Sequence, residues 1–101
     1  MPRPGDLRGW DGMTALEGRR IAVEAEMRLV DTQAIDRRVA LKRRDSGVEL
    51  VVLLLPDTNW NRAALAADRE LLRANFPLDT RAILTSIDAG RAPRASGIVV
   101  L

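Results

Sequence analysis

Gly47-Val48-Glu49-Leu50-Val51-Val52-Leu53-Leu54-Leu55-Pro56 is the stretch on which the fold turns. Residues 48–55 are almost all β-branched or leucine, and a glycine and a proline bound them. The run is far too short to cross a bilayer, so it reads as a strand covered on both faces. A strand with one wet face would alternate polar and apolar residues instead, so this one belongs at the centre of an α/β sheet.

Upstream, residues 20–29 follow a strict period of two. Ile21, Val23, Ala25, Met27 and Leu29 fall on one face, and Arg20, Ala22, Glu24, Glu26 and Arg28 on the other. That pattern predicts a strand reaching to about residue 30. Between the two strands, Asp31 or Thr32 caps a helix over 33–45, which Ser46-Gly47 ends through a left-handed exit. A strand, helix, strand unit of this kind makes the two strands parallel. Residues 1–19, with glycines at 5, 9, 12 and 18, suit turns and a ragged hairpin.

Downstream, Pro56-Asp57-Thr58-Asn59 is a turn that caps a helix over 60–74, which Phe76-Pro77 closes. A further helix is expected over 80–89 and a last strand over 98–101. The whole chain, 1–101, reads as a single α/β domain with a mixed sheet flanked by helices.

Composition narrows the chemistry. The 101 residues contain no cysteine and no histidine, which excludes disulfides, thiolate zinc sites and any imidazole acid, base or ligand. Formal net charge is only +2, with 15 arginines beside a single lysine, Lys42. Residues 1–47 hold ten basic and eight acidic side chains whereas 48–101 hold six of each, so a polyanion is expected on the first half. Arg37, Arg38, Arg43 and Arg44 on the first helix are the candidate nucleic-acid contacts. The sole aromatics, Trp10, Trp60 and Phe76, are too few for a stacking platform. No membrane segment or signal peptide is apparent, and a cytoplasmic location is expected.

Asp11 lies at the end of the expected hairpin, and Glu24 and Glu26 share one face of the next strand, so three carboxylates can converge. Mg²⁺ or Mn²⁺ wants one or two carboxylates together with water and phosphate oxygens, and Asp11 with Glu24 is a sensible pair. The plain alternative is a solvated strand face with Arg20 and Arg28 as counter-charges.

The succession Gly5-Asp6-Leu7-Arg8-Gly9-Trp10-Asp11, Ile21-Ala22-Val23-Glu24-Ala25-Glu26, Thr32-Gln33-Ala34-Ile35 and the strand over 48–55 resembles the PD-(D/E)XK, restriction-endonuclease-like domain that follows the helix-turn-helix domain of actinobacterial regulators. The resemblance covers almost the whole chain from Gly5. It implies that Asp11 and Glu24 bind the metal and that a lysine two positions on activates water for phosphodiester hydrolysis. Glu26 occupies that lysine position, which weakens catalysis, since a carboxylate does not stabilise growing negative charge. Some members place the basic group on the following helix. Lys42, three residues after Val39 and seven after Ile35, is the lysine available on its sheet-facing side. Gln33 matches a glutamine that members place at the start of this helix near the site.

The usual first helix and strand of the superfamily have no counterpart in residues 1–4, so the resemblance is to a form shortened at its N-terminus, the missing layer lost or supplied by another chain. The implied partners are DNA, a second copy of the chain or a helix-turn-helix protein. The competing expectation is a non-enzymatic sensor or dimerisation module of a transcriptional regulator on the same scaffold.

Overall fold

The computed structural model of the chain describes residues 9–101. In order they form β1 (Gly12–Leu16), β2 (Arg19–Ala25), α1 (Thr32–Ser46), β3 (Leu50–Leu55), α2 (Asn59–Ala67), α3 (Arg69–Arg73), α4 (Thr80–Asp88) and β4 (Gly97–Val100). The sheet order is β1-β2-β3-β4. β1 runs antiparallel to β2, and β2, β3 and β4 are mutually parallel, so the sheet is mixed as expected.

Along β3, successive side chains enter two different cores. Val51, Leu53 and Leu55 pack with Ile35 and Val39 of α1 and with Leu72 and Phe76, while Leu50 and Val52 pack with Ile83 of α4, Leu78 and Val99. The strand is therefore buried on both faces, with α1, α2 and α3 over one and α4 over the other. Among the described residues no helix is long and apolar enough to cross a membrane.

The hairpin differs from its expected form. β1 and β2 are themselves its two arms, joined at Glu17 (φ 53°) and Gly18 (φ 74°), the doubly left-handed loop that matches strand twist. The expected hairpin ahead of β2 thus contributes one strand here, and its first eight residues lie outside the described ones. β2 also stops at Ala25 rather than near residue 30, and Met27 and Val30 stand 80% and 74% exposed. The period of two continues in sequence past the point where β3 can supply a partner.

α1 keeps its expected bounds to within a residue. Asp31 accepts from the Ala34 N–H at 3.0 Å and Gly47 (φ 72°) closes the helix. The single helix expected over 60–74 is two, α2 and α3, bent at Asp68 (φ −110°, ψ 21°). Asp is a poor helix former, and the bend lets Leu72 turn into the core that α1 covers.

Candidate active site

Glu24 faces α1 from the register position opposite Leu53 and is 3% exposed, so it does not lie on a solvated face. Two successive turns of α1 reach it. Lys42 Nζ lies 2.5 Å from Glu24 Oε2, and Arg38 Nε lies 3.8 Å from the same oxygen. Arg38 also donates through its terminal nitrogen to Glu26 Oε1. The geometry follows from two periods: residues 24 and 26 share a strand face, residues 38 and 42 share a helix face, and the two faces meet.

Trp10 completes the enclosure. Its ring centroid is 4.8 Å from Lys42 Nζ, and its indole N–H donates to Ser46 Oγ at 3.2 Å. Lys42 is thereby held between an aromatic face and a carboxylate. Asp11, exposed, accepts from the Ala25 N–H at 2.9 Å through Oδ2 and lies close enough to Glu24 for each carboxyl to shift the acidity of the other. The site opens to solvent on the Asp11 side.

The two carboxyls are driven apart in acidity. The Ala25 amide, with further help from Glu24, Lys42 and Arg38, holds Asp11 below the ordinary aspartate range. Burial, reinforced by Asp11, pushes Glu24 up against the opposing pull of Lys42. Two carboxyls this close repel unless a proton or a cation sits between them.

That donor set tests the fit of a metal. Among the described residues no three carboxylates gather closely enough to hold an ion. Mg²⁺ takes one or two protein carboxylates and keeps several waters, so the Asp11 and Glu24 pair meets its minimum in number, while Glu24 is buried and bridged to Lys42. Glu26 is drawn off by Arg38 and stands outside that pair.

Of the remaining expected site residues, Gln33 is exposed on the first turn of α1, with no hydrogen bond of its side chain among the described residues. The basic run of α1 divides. Arg38 and Lys42 turn into the site, Arg43 donates to the backbone oxygen of Glu49, Arg44 meets Asp45 at 3.3 Å, and Arg37 is exposed. Arg28, the alternative partner for the strand carboxylates, lies instead 4.3 Å over the ring of Trp60. Arg38 in the site is the role that sequence reasoning missed. Its signal is the four-residue spacing to Lys42, matched to the two-residue spacing of Glu24 and Glu26. No family model, curated protein or solved structure gives a significant match to the chain.

Proposed function

We propose that this chain is a restriction-endonuclease-like domain acting on nucleic acid, in which Asp11 and Glu24 hold Mg²⁺ or Mn²⁺ and Lys42 takes over from the lysine position that Glu26 fills. The observation that carries the reading is Lys42 Nζ at 2.5 Å from a buried Glu24 that also adjoins Asp11: an aspartate, a glutamate and a lysine drawn from three separate segments to one point.

A bound divalent cation supplies Lewis-acid charge and an activated water. The chain's own residues do the rest. The Lys42 ammonium, fixed by Trp10, offers positive charge to a phosphate oxygen as negative charge grows there. Arg38 neutralises Glu26, so the second glutamate does not repel an incoming phosphodiester. Ala25, through its amide, keeps Asp11 ionised and fixes its orientation.

The experiment is cleavage of single-stranded and duplex DNA with Mg²⁺ or Mn²⁺ by the purified chain. The expected result is metal-dependent cleavage abolished by Asp11→Asn and by Lys42→Met. Cleavage unchanged in Asp11→Asn overturns the assignment. A second reading, a non-enzymatic interaction module, is favoured by one observation: Arg38 and Lys42 already satisfy Glu24 and Glu26 without a metal. A folded wild-type chain that neither binds the cations nor cleaves selects it.

A further inference from the structure

A concavity whose lining includes neither Asp11 nor Glu24 lies on the β4 side of the sheet. It is a groove of about 630 Å³ between α2, α3, the start of α4 and β4. Leu65, Leu72, Phe76 and Ile98 make its floor, and Arg62, Arg69, Arg73 and Arg94 stand around it. The even charge balance of residues 48–101 conceals this, because four of their six cations converge here.

The cations are not equivalent. Arg62 is held by Asp57, and Arg73 meets Glu70 at 3.5 Å. Arg69 and Arg94 have no ion-pair partner among the described residues. Asp79, the acid in the lining, is occupied in capping α4 through the Ala82 N–H at 2.9 Å.

The outer edge of β4 cannot take a further strand. The Leu78 N–H donates to Ser96 O at 3.1 Å and its carbonyl accepts from the Ile98 N–H at 3.0 Å. Thr80 Oγ1 donates to Ile98 O at 3.2 Å and accepts from the Val100 N–H at 2.9 Å. The groove therefore offers side chains rather than a backbone edge, and its volume lies in the ordinary range for small-ligand sites. An aliphatic floor gives nothing to a phosphodiester chain, and Phe76, 5% exposed, presents no ring on which a base can stack.

We infer that this groove binds an organic anion with an apolar body, its carboxylate, sulfonate or phosphate head between Arg69 and Arg94 and its hydrocarbon part on the half-buried Leu65 and Ile98 of the floor. The inference stands apart from the Asp11 and Glu24 site and needs no metal.

The test is fluorescence titration of the purified chain with anilinonaphthalene sulfonate, followed by displacement with dodecanoate, dodecyl phosphate and, as the opposite charge, dodecyltrimethylammonium, all below micelle formation. The expected result is saturable binding, displacement by both anions, and displacement by the cation weaker by about tenfold or more. The double variant Arg69→Glu/Arg94→Glu alters two exposed side chains. Circular dichroism should show it folded, with affinity reduced by about tenfold or more. Met27→Glu, at an exposed apolar side chain outside the groove, should bind as wild type does. Absence of binding, equal displacement by the cation, undiminished affinity in the folded double variant, or loss in Met27→Glu overturns the inference. Displacement by a short DNA duplex as effective as that by dodecanoate overturns the apolar-body part and assigns the arginines to a polyanion.

Discussion

Asn61 has no exposed surface and uses its side chain to tie two separate backbone segments through three hydrogen bonds. Its Oδ1 accepts from the Leu29 N–H at 2.9 Å, and its Nδ2 donates to Met27 O at 3.1 Å and Pro56 O at 3.0 Å. The segment after β2 is thus held with Met27 and Val30 outward, and the Trp60 indole adds a bond to Leu29 O at 2.8 Å. Asn61→Ala strands these buried groups and should destabilise the fold by roughly 2–4 kcal/mol, read from urea unfolding. Sequence gives no hint of this role, since two of the partners lie more than thirty residues away. Glu24 was legible because a strand period placed it. Its burial was not, because that depends on α1 lying over its face. Since the folded chain keeps the proton of Glu24 to higher pH than the unfolded chain, stability falls as pH rises from the ordinary 4.5 through the raised folded value. Asp11 acts oppositely: its contribution is present above the ordinary 3.8 and is lost as pH falls through its lower folded value. Glu24→Gln should remove the decline above pH 4.5 in a series of urea midpoints, and a decline that persists in the variant assigns it to another group.

Among the elements, those with strong end signals were legible. α1 has Asp31 and Gly47, and β3 has Gly47 and Pro56 outside it. The end of β2 was not, because its alternation runs on through Met27 and Leu29 where no strand remains alongside. Nor was the division of α2 from α3, which no glycine or proline marks. Asp31→Ala should lower stability by about 1 kcal/mol through the lost cap. Gly97 is a sharper case. A Cβ there would lie 2.5 Å from Leu78 O and 2.7 Å from Ile83 Cγ1, at the junction of β4 with α4 and the Leu78 bridge. Gly97→Ala should cost about 1–3 kcal/mol as the packing shifts, with the thermal midpoint as readout. Retention of the wild-type midpoint would show that α4 can move away freely.

For the whole molecule, the candidate site is a meeting of segments 10–11, 24–26 and 38–46. Its carboxylates and Lys42 were readable as separate periodicities, whereas Arg38 and the packing of Trp10 against Lys42 required the segments to be placed. If Asp11 and Glu24 take a divalent cation, hundredfold excess over its Kd should stabilise the folded chain by about 2.7 kcal/mol. Each kcal/mol moves the melting midpoint of a domain this size by about 4–8 °C. The shift should vanish in Glu24→Ala, and an equal shift in that variant would place the cation elsewhere.

The bridge that Leu78 and Thr80 make along β4 also governs how such molecules can aggregate. Open-ended fibrils grow only from units that are adhesive on both flanks, because each added unit must leave a fresh template for the next. Here one flank carries its own seal. With the β4 edge unable to template a further copy, strand pairing cannot propagate through that flank, and open-ended growth of this kind is blocked there.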